Sequence, residues 1–278
     1  MAIIAWLHCT QEKGCVSVDI PAEESLDSAS KRLPSGVYTT FRTYEFNKVL
    51  EAGSHFERLL ESARLKGTRL DLDQVEIRKN IRVAISSMKD DCRIRLHVDL
   101  TDQPGDVYIL IEPLVKNPEV LYRAGAEVIT VRMHRENALA KSTDFIQTAD
   151  RIRKALPNGV QEAVMVSEDG VLLEGLSSNF FAVIQGAVWT AGEGVLAGIT
   201  RKIAIEAAAR CGIELVERGV QRTDVGLIEE AFITSASRGV MPVTRIDDSP
   251  VGDGVVGPLT KKIMAAFQEV LQDKLESI

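Results

Sequence analysis

Two turn dipeptides, Asp169-Gly170 and Gln185-Gly186, each separate a pair of short apolar runs, the arrangement that closes an antiparallel hairpin. A chain whose strands are tied this way folds as α+β, because a doubly wound parallel sheet needs a helical crossover between strands. The remaining punctuation agrees. Ala2–His8 and Cys15–Ile20 read as strands about a turn at Lys13-Gly14, and Gly36–Tyr44 has the β-branched and aromatic content of a third. Ser54-His-Phe-Glu57 is a capping box, which predicts a helix from Ser54 to about Lys66, stopped by Gly67. Between Asp73 and Lys89, residues Ile77, Ile81, Ala84, Ile85 and Met88 recur at helical steps and share one face. Further strands are expected over Arg93–Asp99, Asp106–Ile111, Glu127–Met133 and Phe232–Ser235. Further helices are expected from near Ser142 and over Thr200–Cys211, Thr223–Glu230 and Gly257–Leu275.

The pattern breaks in a Lys-Asn-Pro stretch within Pro113–Glu119. This divides the chain into a small N-terminal α/β domain at residues 1–115, a linker at 116–124 and a larger C-terminal mixed-sheet domain at 125–278. A net charge of -7 over 278 residues argues against a nucleic-acid partner. No apolar stretch approaches the roughly 20 residues of a membrane span, and the N-terminus lacks the basic region of a secretory leader, so a cytoplasmic protein with no membrane partner is expected. Cys9, Cys15, Cys92 and Cys211 form no CxxC pair and no zinc-spaced cluster; reduced thiols and no metal follow as expectations.

Four segments carry side chains suited to chemistry. Leu173-Glu174-Gly-Leu-Ser-Ser-Asn-Phe-Phe181 places a carboxylate before small polar residues, which fits a ligand arm or a plain turn. Gly198-Ile-Thr-Arg201 opens a helix, with Thr200 able to serve as N-cap. Arg201 in that first turn opposes the helix dipole, a conflict that a bound anion would relieve. Thr234-Ser-Ala-Ser-Arg-Gly-Val-Met-Pro242 offers hydroxyls leaving a strand, for a phosphate or for a turn. Lys141 follows Ala138-Leu-Ala140 and precedes a helix start; partial burial there would favour the neutral amine that Schiff-base chemistry needs, whereas most lysines are solvated.

In this order and spacing, the four segments resemble the fold-type IV pyridoxal-phosphate enzymes, a two-domain family that includes branched-chain and D-amino-acid aminotransferases and aminodeoxychorismate lyases. Gly36-Val-Tyr-Thr-Thr-Phe-Arg42, His55-Phe-Glu-Arg58-Leu with Ser62-Ala63, and the 33 residues from Lys141 to Glu174 extend the resemblance from Gly36 to the C-terminus. It implies pyridoxal 5′-phosphate as cofactor, an amino acid and a 2-oxo acid as substrates, transamination as the reaction, and a homodimer. A lyase on the same scaffold and a non-catalytic relative are its alternatives.

The resemblance assigns Lys141 the Schiff base and proton transfer, Glu174 the pyridine nitrogen, and Arg58 the phosphate. Ile199 and Thr200 join the phosphate from the helix end, and Ser235, Ala236 and Ser237 from the loop; Ser178 and Asn179 are further cofactor-binding residues, Asn179 supporting the site from behind. Departures fall elsewhere. Thr39 stands where the family usually has glutamate, Arg93-Ile-Arg95 stands where branched-chain enzymes often show Tyr-x-Arg, and Phe145 or Ile146 replaces an expected tyrosine. Arg93 and Arg95 alternate about Ile94 and should share a strand face, where they are candidates for a carboxylate fork, as solvated arginines are the alternative. Tyr38 and Arg42 are further substrate-binding candidates.

Overall fold

The computed structural model describes residues 3–10, 14–19, 25–135 and 137–278, and its elements are mixed helix and strand, α+β. The turn expected at Lys13-Gly14 begins outside the described residues. Contacts divide the chain into two units. The first is built on the residues through Val115, and the chain returns to it twice, with Ala140–Asp150 and with Lys274–Ile278. The second holds Lys116–Leu139 and Arg151–Asp273. Lys141 therefore belongs with the N-terminal residues and not with the C-terminal domain expected to carry it. The reason is backbone pairing: Tyr38 N–H donates to the Lys141 carbonyl at 2.9 Å and Thr143 N–H to the Gly36 carbonyl at 2.9 Å.

The first unit is a seven-stranded antiparallel sheet with helices on both faces. In chain order its elements are β1 (Ala5–Thr10), β2 (Gly14–Ser17), α1 (Leu26–Ser30), β3 (Gly36–Tyr44), β4 (Lys48–Leu50), α2 (Ala52–Leu65), α3 (Gln74–Ile85), β5 (Cys92–Asp99) and β6 (Val107–Pro113). The strands lie in the order closing strand Leu275–Ser277, β4, β3, β5, β6, β1, β2. Strand alternation sends Val37, Phe41, Ile94, Leu96, Val98, Ile109 and Ile111 to one face, against Phe56 and Leu59 of α2 and Ile77, Ile81 and Ile85 of α3. Asp73 caps α3 by accepting from Glu76 N–H at 2.9 Å. The capping box does not form. α2 begins two residues before Ser54, and the Ser54 hydroxyl instead donates to Glu51 Oε2 at 2.9 Å. The β1–β2 register sets Cys9 opposite Cys15, and the two form a disulfide, which corrects the expectation of reduced thiols; Cys92 and Cys211 are free.

The opposite face of this sheet carries Tyr38, Thr40, Arg42, Arg93, Arg95 and His97, with α1 covering part of it through Leu26 and Ala29 on Trp6 and Leu110. His97 is buried, and its Nε2 lies 2.8 Å from the Pro34 carbonyl, so Nε2 carries the proton and Nδ1 is bare. Burial lowers its pKa from 6.5 to about 4, against the Pro34 hydrogen bond, with Arg95 adding to the decrease. The unfolded chain thus binds a proton here from pH 6.5 downward, whereas the folded chain does so only near pH 4. Stability is complete above pH 6.5 and falls as pH drops toward 4, by up to about 3 kcal/mol from this residue. Urea unfolding at pH 7 and pH 4.5 should show a smaller loss for His97→Leu than for the wild type; equal losses would remove His97 as the cause.

The second unit contains α4 (Glu119–Ala124), β7 (Ala126–Arg132), α5 (Asp144–Lys154, whose last turn belongs here), β8 (Val160–Val166), β9 (Leu172–Gly175), β10 (Asn179–Ile184), β11 (Ala187–Trp189), α6 (Ile199–Arg210), β12 (Leu215–Val216), β13 (Glu230–Ser235), β14 (Gly239–Ile246), β15 (Ser249–Pro250) and α7 (Pro258–Asp273). The expected linker is partly α4. Both predicted hairpins are present, β8–β9 and β10–β11, the latter turning through positive φ at Gln185 and Gly186. Because β9 pairs with β8 on one side and β10 on the other, β10, β13, β14, β7, β8 and β9 close on themselves. Val128, Val164, Phe180, Ile233 and Met241 belong to the core of this unit, and α6 and α7 pack on β13 and β14. Among the described residues no helix is long and apolar enough to cross a membrane.

Candidate active site

Lys141 is held by its main chain from two sides. Its N–H donates to the Ser62 hydroxyl of α2 at 3.1 Å, and its carbonyl accepts from Tyr38 of β3. The side chain then lies with Nζ 4.8 Å from the centre of the Tyr38 ring. Ser62 is buried, which explains why the signature after Arg58 needs a small hydroxyl residue there. Arg58 is on α2, half-buried, and burial lowers its guanidinium to about 10. What opposes that decrease is Tyr38 and not a carboxylate. A guanidinium in such a place is stabilised by a bound anion.

Both cations act on His55. It is buried, shares a 2.7 Å hydrogen bond with Thr39 through Nδ1, and its ring packs 4.8 Å from that of Phe41. Burial first, then Arg58 and Lys141, hold its pKa well below 6.5, so it is neutral. Thr39, at the position of the family glutamate, supplies the hydrogen bond without adding a negative charge.

The arginines proposed as a carboxylate fork share a face as alternation requires, but they do not form the fork. Arg95 is consumed inside the unit: its guanidinium donates to Asp27 (2.8 Å), Ser30 (2.8 Å), the Leu26 carbonyl (3.0 Å) and Thr40 (3.0 Å), and it stacks 4.8 Å from the Tyr38 ring. Arg93 pairs with Glu112 at 2.9 Å and Arg42 with Asp91 at 3.2 Å. Arg95 positions Tyr38 from one side while Lys141 lies against the same ring. α1, which supplies Asp27 and Ser30, takes the guanidinium that the sequence reading left for substrate.

In the second unit, Glu174 ends β9 and faces Asn179 across the sheet. The β8–β9 register, Val164 opposite Gly175 and Val166 opposite Leu172, shifts between Val164 and Val166, so β9 carries one extra residue there. The carboxylate is 2 % exposed. Its Oε2 accepts from Asn179 Nδ2 and from Leu196 N–H, both at 3.1 Å, and Oε1 lies 3.3 Å from Arg135 Nε. Such donors favour the ionised form. Asn179 Nδ2 also donates to the Leu196 carbonyl at 2.8 Å, so it locks the loop that leads into α6. The segment is thus both a turn and a carboxylate mount.

α6 begins at Ile199 with Gly198 as N-cap and no capping side chain, so Thr200 lies inside the first turn and is not the cap. Gly198 has no room for a side chain: a Cβ would stand 2.2 Å from Asn179 Oδ1. Arg201 turns away to Glu217 (3.2 Å) and the Ala191 carbonyl (3.2 Å), so a carboxylate of this chain offsets its conflict with the helix dipole. Thr234 stands opposite Asn179 in the β10–β13 register, and its buried hydroxyl has no hydrogen-bond partner among the described residues. Ser235 closes β13, and Ala236 and Ser237 open the turn of residues 236–238 into β14. The Ser178 hydroxyl donates to Glu162 Oε2 at 3.1 Å. Sequence reasoning missed Arg135, which has no pattern around it, and Glu162, an acid inside the apolar run Val160–Val166.

The chemistry these side chains can serve is narrow. An amine can condense with an aldehyde, a guanidinium and an uncapped helix end can hold a phosphate, and a buried carboxylate can pair with a protonated ring nitrogen. This donor set is that of a pyridoxal-phosphate enzyme, and the residues present fit the group.

The chain belongs to the amino-transferase class IV family, which matches residues 36–246. Pyridoxal 5′-phosphate is its cofactor, transamination its reaction, and an amino acid and a 2-oxo acid its substrates. It is 25% identical over 267 residues to a branched-chain-amino-acid aminotransferase of Pseudomonas aeruginosa, covering 87% of this chain and 86% of that one. It is 29% identical over 248 residues to a D-alanine aminotransferase of Bacillus licheniformis, covering 84% and 86%. The solved branched-chain aminotransferase of Thermoproteus uzoniensis with norvaline superposes with a TM-score of 0.77 at 26% identity, covering 99% of each chain.

Proposed function

We propose that this enzyme moves an amino group between a small aliphatic amino acid, branched-chain-like or D-configured, and a 2-oxo acid, as a cytoplasmic homodimer. The single observation that carries the site assignment is Lys141, pinned at both main-chain groups with its amine against Tyr38. When bound, the cofactor supplies an electron sink for the bonds of the amino-acid Cα. Lys141 bears the covalent link to it and moves the proton to and from Cα. Glu174, held ionised by Asn179 and Leu196, keeps the ring nitrogen protonated. Arg58, the Ile199 and Thr200 amides and the Ser235–Ser237 turn hold the phosphate.

Neutral His55 keeps a third cation out of the Lys141 and Arg58 neighbourhood. The aliphatic substrate preference is supported by the named activities of the relatives and by the guanidinia of Arg42, Arg93 and Arg95 already holding carboxylates. The test is a panel of L- and D-amino acids, each mixed with the holoenzyme while cofactor absorbance is followed, with 2-oxoglutarate then added. Aliphatic donors of one configuration should convert the spectrum at least about tenfold faster than acidic or basic donors. Fastest conversion by aspartate, glutamate or lysine would overturn the substrate class. Pyruvate release from aminodeoxychorismate, with no donor converting the spectrum, would overturn the transaminase reading.

A further inference from the structure

Glu162 is a buried carboxylate for which the reaction has no use. It lies in β8, 1 % exposed, and four donors converge on its Oε2: Ser177 N–H (3.3 Å), the Ser177 hydroxyl (2.7 Å), the Ser178 hydroxyl (3.1 Å) and Arg238 Nη1 (3.0 Å). Its Oε1 accepts from Ala163 N–H at 3.2 Å. A burial this complete needs every one of these donors, since an ionised carboxylate withdrawn from water is costly unless paired and hydrogen-bonded. Apolar residues could fill the same volume at no loss of stability, so burial alone gives no reason for a carboxylate here. What distinguishes it is which segments it joins.

The Ser177–Ser178 pair directly precedes Asn179, the residue that holds Glu174. Arg238 directly follows Ser237 and is the last residue of the turn between β13 and β14. The guanidinium of Arg238 also donates to the Ser177 hydroxyl (3.1 Å) and the Gln161 carbonyl (3.3 Å). Its own N–H closes the turn onto Ser235, at 3.2 Å from the carbonyl and 3.3 Å from the hydroxyl, and its carbonyl accepts from Tyr122 at 2.8 Å. One end of Arg238 therefore belongs to the turn and the other to Glu162. The packing leaves no slack beside it: a Cβ at Gly175 would stand 2.3 Å from Ser178 Oγ and 2.7 Å from Glu162 Cγ.

We propose that Glu162 and Arg238 are a positioning pair that ties the Ser235–Ser237 turn to the Ser177–Asn179 arm and so sets how tightly the enzyme holds the cofactor phosphate. The inference rests on the roles proposed above for that turn and for Glu174. Neither residue touches a reacting atom. They act by fixing the groups that do, which is what a supporting layer contributes to a preorganised site.

The test uses Glu162→Gln, which keeps the volume and removes the charge, and reads the dissociation constant of pyridoxal 5′-phosphate from the apo-dimer together with the 31P resonance of the bound phosphate. The constant should rise by about tenfold or more and the resonance should shift, whereas a purely structural pair would move only the urea midpoint. Arg238→Lys, which keeps the charge and loses the fork, should fall between wild type and Glu162→Gln. Should Glu162→Gln fail to fold, the Glu162→Gln/Arg238→Met double variant, which removes both charges, carries the same measurement. An unchanged dissociation constant and an unshifted resonance overturn the pair's role, whatever the stability. A Ser235→Ala/Ser237→Ala control separates the two readings. If it leaves the constant unchanged while Glu162→Gln raises it, the hydroxyl assignment falls, and the pair stands through the Glu174 arm.

Discussion

Lys141→Ala should lose at least about 10⁴-fold in turnover while keeping the fold, because proton transfer by a placed group alone accounts for roughly 10²–10⁴ and the covalent link is lost with it. The fold is expected to survive for a reason visible in the backbone. The contacts that seat residue 141 are its N–H on Ser62 and its carbonyl on Tyr38, and alanine retains both. Among the contacts alanine removes is that of the Lys141 Nζ with the Tyr38 ring at 4.8 Å. The measurement pairs steady-state turnover with urea unfolding of the same preparation. A variant within tenfold of wild-type turnover would move the covalent role to another lysine, with Lys116 and Lys154 the next to examine. A variant that unfolds would instead contradict the main-chain account of how this position is built.

Much of this was legible before any coordinates, and the boundary of legibility is physical. Local rules read well. The strand Gly36–Tyr44 matches its expected bounds, the hairpins turn at Asp169-Gly170 and Gln185-Gly186, and Ile77, Ile81 and Ile85 are the buried stripe of α3. What failed depends on partners distant in the chain. The capping box at Ser54 is a valid local signal, outcompeted because Glu51 draws the Ser54 hydroxyl toward itself. The placement of Lys141 in the first unit rests on pairing with β3 across about a hundred residues, which no periodicity reports. Alternation correctly puts Arg93 and Arg95 on one face. It is silent on Asp27 and Glu112, which occupy them. The residues proposed to hold the cofactor, Lys141, Glu174 and Arg58, stood out in the sequence for the opposite reason: they lie in a fixed order and spacing. The charges that steady them, Arg135 on Glu174 and Arg238 on Glu162, come from segments with no pattern of their own.

That dependence makes Glu174 the position where structure and chemistry can be pulled apart. Glu174→Ala should lower kcat by about 10²–10³, the cost of removing one preorganised charge from a reacting centre. It should also destabilise the protein by about 3–5 kcal/mol, since it leaves the buried Arg135 without its carboxylate partner and frees Asn179 Nδ2 and Leu196 N–H from their acceptor. A loss of activity alone would therefore be ambiguous. The Glu174→Ala/Arg135→Met double variant resolves it, because it removes the stranded guanidinium while the ring nitrogen still lacks a carboxylate. Urea midpoints should return most of the way to wild type in the double variant, and kcat should stay as low as in the single one. If activity recovers with stability, Glu174 serves the fold and the ring nitrogen is paired by another group. If stability does not recover, Arg135 is not the charge that Glu174 neutralises. If only stability recovers, the carboxylate acts on the cofactor, and Arg135, Asn179 and Leu196 are the groups that hold it there.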